Sequence, residues 1–321
     1  MESKIDPPLI EQVQKLRQKY AAMGQDLSSY LDGLLYSDYL TYWDYIHLDT
    51  LLSLQTPKTN LKDEKVFIIY HQITELYFNL ILWEIEQIVE LPQLDEKFFS
   101  RRLDRIINYF RQLVNSFGVM VEGMDRDQFL KFRMSLLPAS GFQSAQYRMI
   151  EICCTDLLNL VSLNQRAGAD VYDDFERTTD DIDQQIEKLY WRSGATELAT
   201  GKKTLTLQQF EEKYMKQFKQ LGMNYRNKNL RKIYLKYFPD SAEVKTCLRE
   251  LDELANVRWP LAHLKSVAKY LQKDPEDIKA TGGTNWQKYL PPRFQKIIFF
   301  PELWSETERQ EWGKAGINFG L

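Results

Sequence analysis

The stretch Asp63-Glu-Lys-Val-Phe-Ile-Ile-Tyr-His-Gln-Ile-Thr-Glu-Leu-Tyr-Phe-Asn-Leu-Ile-Leu-Trp-Glu-Ile-Glu-Gln-Ile-Val-Glu90 decides the fold. Its apolar residues recur at three- and four-residue intervals, the period of an α-helix, and no glycine or proline interrupts it before Leu91-Pro92. Apolar residues nearly encircle its first half, which predicts a helix central to the core. His71, Gln72, Glu75, Asn79, Glu84 and Glu86 break the run between Val66 and Ile88. It therefore falls short of the ~18 uninterrupted apolar residues that indicate a membrane span.

Working outward, the same period recurs on both sides. It predicts helices over Leu9 to Met23, ended near Gly24, and over Ser37 to Leu52, where Tyr39, Tyr42 and Tyr45 stand at i, i+3 and i+6. Thr56-Pro-Lys-Thr-Asn60 is a polar break. Beyond Pro92, helices are expected over Phe98 to Val121, Arg126 to Leu137, Phe142 to Leu163, Leu207 to Leu221 and Asn229 to Tyr237. Ala242 to Leu271 reads as one long helix that Pro260 should kink or split three residues before His263. Composition shifts between Asn164 and about Thr206, read as an inserted helical hairpin with Asp180 to Trp191 as one arm. From Asp274 onward the chain is rich in turns. Strand-like alternation is scarce, so the expected fold is all-α: one large helical-bundle domain with long helices and an inserted helical hairpin.

Bulk properties narrow the function. The 321 residues are 44% hydrophobic and 27% charged, with a net charge of −3. That balance implies a soluble protein with a sizeable core and no general attraction to nucleic acid or anionic membrane. The N-terminus carries charges and prolines where a signal peptide needs an apolar core. Cys153, Cys154 and Cys247 are odd in number and lack CxxC spacing, which points to a reducing compartment, the cytoplasm, and away from structural zinc.

With only His47, His71 and His263 present, any imidazole chemistry must run through one of them. Phe67, His71 and Glu75 share a helical face. A histidine among Ile, Phe and Leu tends to stay neutral and can accept a hydrogen bond from a ligand; equally, it can be a core residue satisfied by Glu75 or a backbone group. His263 follows a proline break, where a ring can point into a cavity. A di-iron bundle is excluded, since Asp44-x-x-His47 is the one pair near that spacing and carries the wrong acid. Arg133, four residues after Phe129, suits either a carboxylate clamp or an internal salt bridge. Arg101, Arg102, Arg105 and Arg111, with Asp104 interleaved, read as a solvated face. Thr281-Gly-Gly-Thr284 is a flexible loop able to close over a small polar ligand.

Together, Leu40-Thr-Tyr-Trp-Asp-Tyr-Ile-His-Leu-Asp-Thr-Leu-Leu52, Phe67-Ile-Ile-Tyr-His-Gln-Ile-Thr-Glu-Leu76, Phe132-Arg133 with Pro138-Ala-Ser-Gly-Phe-Gln-Ser-Ala-Gln-Tyr-Arg148, Trp259 with His263, and Thr281-Gly-Gly resemble the tryptophan 2,3-dioxygenase family. These blocks extend over roughly residues 37–284, and the stretch 164–245 matches poorly. The resemblance implies a helical arm (1–36) and a haem-binding catalytic domain (37–321), with about 164–245 a more divergent helical insertion. It further implies a homotetramer with haem b, whose ferrous iron activates O2 to cleave the indole 2,3-bond of L-tryptophan and give N-formylkynurenine. On this resemblance His263 is the proximal iron ligand and His71 the distal partner of the indole N–H. Arg133 binds the substrate carboxylate, Thr281 contacts its ammonium and carboxylate, and Phe67 packs on indole and haem. Phe129 stands where some members carry a substrate-contacting tyrosine. Tyr42, Tyr45 and Ile46 line the pocket from a neighbouring subunit, and His47 has no catalytic role. Pro260 and Ala262 replace a more polar, basic approach to the haem histidine, and the segment from His263 to Thr281 is about four residues longer than the family pattern. Wider relatives act on other indoles or on tyrosine, sometimes inserting one oxygen atom. A haem monooxygenase or dioxygenase of another aromatic amino acid, and a non-catalytic haem or tryptophan sensor, are therefore the alternatives.

Overall fold

A computed structural model describes residues 6–36, 41–136, 143–162, 179–193, 195, 202–271 and 291–314. Among these the regular structure is helical, apart from one isolated antiparallel bridge between Val161 and Leu189. The chain divides into two compact units, Met1–Thr56 and Pro57–Leu321.

The first unit holds α1 (Pro7–Ala22), α2 (Leu27–Tyr36), α3 (Tyr42–Tyr45) and α4 (Leu48–Ser53). Pro7 begins α1, where a missing N–H costs nothing, and Gly24 ends it at φ +68°. Tyr20 and Tyr30 bring α1 and α2 together, ring centroids 4.4 Å apart. The helix expected over Ser37 to Leu52 is corrected where the structure describes it. Thr41 caps α3, and His47 then adopts a left-handed conformation at φ 51° that breaks the helix before α4.

The second unit is built on α5 (Asp63–Glu90), which has the bounds its sequence predicts. Glu64 anchors its start, accepting hydrogen bonds from the Lys58 and Thr59 N–H groups, both at 2.7 Å, and from the Thr59 hydroxyl at 2.6 Å. Phe78, Ile81, Ile85 and Ile88 are buried in the same core as the apolar face of α6 (Glu96–Ser116), itself capped by Asp95. From α6, Phe99, Leu103, Ile106, Phe110 and Leu113 supply the apolar stripe, each stabilising the fold by ~1.5–3 kcal/mol through burial. The expectation of burial around the first half of α5 is corrected. Ile69, Ile73 and Leu76 are exposed, as are Leu80 and Trp83 beyond them, because α6 and the later helix α9 (Ala145–Cys154) cover other faces of the helix. The arginine face of α6 is more structured than expected. Arg102 and Arg105 each reach the wholly buried Glu84 at 2.8 Å, and Tyr109 donates to the same carboxylate.

Phe117 ends α6 one turn early, and α7 (Gly118–Glu122) and α8 (Arg126–Phe132) follow, α8 tightening into a 3-10 turn over Arg133–Leu136. The helix expected from Phe142 is two: α9 (Ala145–Cys154), capped by Ser144, and α10 (Leu157–Leu160). They part at Thr155, extended at φ −146°, whose hydroxyl donates to the Phe299 carbonyl. In the region read as a hairpin, α11 (Thr179–Glu187) and α12 (Tyr190–Ser193) are described. The former lies against α13 (Leu205–Tyr225), where Gly222 leaves room for Ile182 and Ile186. Then come α14 (Leu230–Tyr237), α15 (Ala242–Glu253), a π-helical turn over Leu254–Arg258, and α16 (Trp259–Leu271). The break ahead of Pro260 is thus a widened turn within continuous helix.

Candidate functional site

Four elements converge around a second hydrophobic cluster that includes Tyr70, Phe117, Phe132 and Tyr270. The N-termini of α5 and α8 are clamped reciprocally: Asp63 accepts from the Asp125 N–H at 2.5 Å, and Gln128 accepts from the Asp63 N–H at 3.3 Å. This fixes Phe67 beside α8, 6.3 Å from Phe129 and 5.8 Å, edge-on, from Phe132. One turn further along α5, the His71 ring lies 4.0 Å from that of Phe67. On α16, Tyr270 sits 4.6 Å from Phe129 and donates to the Met120 and Met124 carbonyls, tying α16 to α7 and the turn after it. His263, two turns earlier on the same face, lies 6.1 Å from Phe117, which meets both Trp259 and Tyr70.

The two imidazoles are electrostatically matched. His71 is solvent-accessible at its edge, yet protein atoms surround most of its ring. Desolvation there pushes its pKa down, against the opposing pull of the Phe67 carbonyl and Glu75. Its Nδ1 contacts the Phe67 carbonyl oxygen at 2.7 Å. A carbonyl only accepts, so Nδ1 carries the proton and Nε2 of the neutral ring is an acceptor. Glu75, the other expected partner, is engaged by the Gln146 amide at 2.8 Å. His263 is pushed down to about 4, first by burial and then by the charge His71 would carry. Among the described residues the His263 ring makes no hydrogen bond, so its lone pair is available to a metal.

The structure brings together Phe67, His71, Phe129 and His263, and Arg133 leaves α8 directly after Phe132, its N–H bonded to the Phe129 carbonyl. Thr281 lies outside the described residues. Tyr42, Tyr45 and Ile46 belong to the first unit, where both tyrosines are 71% exposed. Sequence reasoning missed Tyr70, Phe117 and Tyr270. Tyr70 had a signal in its adjacency to His71; Phe117 and Tyr270 carry none in the sequence. Among the described residues no cluster of three His, Cys, Asp or Glu side chains can hold a metal ion, and no helix is long and apolar enough to cross a membrane.

Fold and site define an all-helical protein with a pair of neutral histidines flanked by aromatic rings. The sequence model described as Tryptophan 2,3-dioxygenase matches residues 33–233, and the chain belongs to that family. The match includes His71 and Arg133 and stops before His263. Similar proteins extend further. The tryptophan 2,3-dioxygenase of Ruegeria sp. (strain TM1040) is 27% identical over 289 residues, 84% of this chain and 92% of that protein. That of Bradyrhizobium diazoefficiens is 28% identical over 280 residues, with the same shares. That of Sorangium cellulosum (strain So ce56) is 44% identical over 124 residues, 35% of this chain and 30% of that protein.

Proposed function

We propose that the chain is a haem-dependent dioxygenase that opens the indole ring of L-tryptophan with O2 to give N-formylkynurenine. The observation that carries this reading is the pairing of His263 and His71, two imidazoles kept neutral by burial and set against the rings of Phe117 and Phe67. The residues fit haem b: an unpartnered neutral imidazole suits iron, and Phe117 and Phe67 offer flat apolar surface to a macrocycle. Bound haem supplies the ferrous iron that activates O2.

The chain's own residues then have distinct tasks. His263 holds the iron through its free nitrogen. His71, its Nδ1 proton committed to Phe67, presents Nε2 to the indole N–H. Accepting that hydrogen bond enriches the ring in electrons and orients its 2,3-edge. Phe67 packs on the indole, Phe129 gives an apolar wall without a phenol, and Arg133 pairs with the carboxylate. Thr281 contacts the amino-acid end. Tyr42, Tyr45 and Ile46 complete the pocket of a neighbouring subunit in a homotetramer; the exposure of the two tyrosines on the first unit supports that task. The composition supports a cytoplasmic location.

The test is addition of L-tryptophan and air to the reduced, haem-loaded protein, following N-formylkynurenine by absorbance. Product formation is expected. Tryptophan binding with a normal haem spectrum and no product would reject the reading in favour of a sensor, and turnover of another aromatic amino acid alone would redefine the substrate.

A further inference from the structure

The π-helical turn ahead of His263 has an unusual hydrogen-bond problem. In such a turn the N–H of residue i+5 bonds the carbonyl of residue i, and the Trp259 N–H accordingly reaches the Leu254 carbonyl. The next carbonyl, that of Ala255, would take the N–H of residue 260, which is proline and has none. The α-helical donor to Ala255 would be Trp259, already committed to Leu254. Ala255 is wholly buried, so solvent does not serve it either.

The missing donor comes from a distant helix. The Tyr147 hydroxyl, on α9, donates to the Ala255 carbonyl at 2.8 Å. Its ring is held from one side by the Arg148 guanidinium at 4.6 Å and packs 5.4 Å from Phe78, which in turn meets Trp259 edge-on at 5.6 Å. The Ser144 cap fixes the backbone beneath it. We propose that Tyr147 is a positioning residue for the iron-binding helix: its hydroxyl substitutes for the N–H that Pro260 removes and so sets the direction in which α16 presents His263. This rests on the reading of His263 as iron ligand.

The test compares haem-loaded wild type with Tyr147→Phe, Pro260→Ala and the double variant. Amide exchange over residues 254–263 reads the turn without reference to iron. Tyr147→Phe should speed it about tenfold, the effect of losing one buried hydrogen bond. In the double variant the restored N–H at 260 can serve Ala255, so adding Tyr147→Phe to Pro260→Ala should change exchange by less than about twofold. The iron–histidine stretching band should shift in Tyr147→Phe and return in the double variant. Unchanged exchange, or the same increase with and without Pro260, overturns the coupling. Faster exchange with an unshifted band reduces Tyr147 to a stabilising contact and overturns the positioning role. A separate His263→Ala protein isolates the underlying reading: full haem retention there sinks the ligand assignment while leaving the Tyr147–Pro260 coupling to stand or fall on exchange alone.

Discussion

At the scale of single residues, the proposed chemistry depends on which nitrogen of His71 carries the proton. The Phe67 carbonyl settles the tautomer, so the ring meets a ligand as an acceptor. His71→Ala should retain haem and lose turnover by about tenfold or more, the value of one well-placed hydrogen bond. Steady-state rates and the haem spectrum measured together check this, and an unchanged rate removes His71 from the mechanism. Arg133→Leu should raise the tryptophan KM about tenfold to a hundredfold, since a charge-assisted pair contributes roughly 1.5–3 kcal/mol. Unaltered substrate titration would place the carboxylate elsewhere. His71 and Arg133 stood out in the sequence because each is a polar residue on an apolar helical face. The spacing could not say whether Glu75 or a carbonyl satisfied His71, because both lie one turn away on the same helix.

At the scale of elements, the turn between α15 and α16 is held by more than Tyr147. Asp252 is wholly buried and accepts from the Asn256 amide at 2.8 Å, the Phe299 and Phe300 N–H groups at 2.8 and 3.0 Å, and the Trp304 indole at 3.0 Å. One carboxylate thereby joins the end of α15 to the C-terminal segment. Asp252→Ala would strand four donors and should cost about 3–5 kcal/mol, read by denaturant melts. Burial pushes this carboxyl up to about 6 from its ordinary 3.8, with the four donors pulling the other way. A carboxyl raised on folding stabilises fully below its unfolded pKa and loses that contribution as pH rises through the folded value. The stability difference between wild type and Asp252→Asn should therefore shrink between about pH 4 and pH 6. A difference that grows over that window would show that the donors outweigh burial. Pro260 announced a break in the helix, yet its form was illegible, since the choice between a kink and a π-turn depends on partners 108 residues away, as Tyr147 is from Ala255.

At the scale of the whole molecule, the first unit carries apolar side chains that a single chain leaves in water: Tyr42, Trp43, Tyr45 and Leu52 are all more than half exposed. Surface of this kind marks an interface, and the proposed assembly gives it one. If a neighbouring subunit completes each pocket, Tyr45→Ala and His71→Ala proteins should each be slow alone. Mixed by co-expression, they should recover part of the wild-type rate, because some pockets then combine an intact His71 with an intact Tyr45. Activity no higher than the average of the two variants would show that each pocket is built from one chain.

The sequence by itself determined that this protein is helical, where α5 begins and ends, and which polar residues stand on apolar faces. These are local properties: a 3.6-residue period, caps and proline breaks act over a few residues. Only the tertiary structure decided that His71 and His263, 192 positions apart in the chain, lie close enough for the charge of one to reach the other, each kept neutral chiefly by burial. It also decided that α5 is buried in part instead of all round, and that Tyr147 answers for the donor missing at Pro260. Burial, charge coupling and hydrogen-bond completion depend on which helices meet, and no local period encodes that.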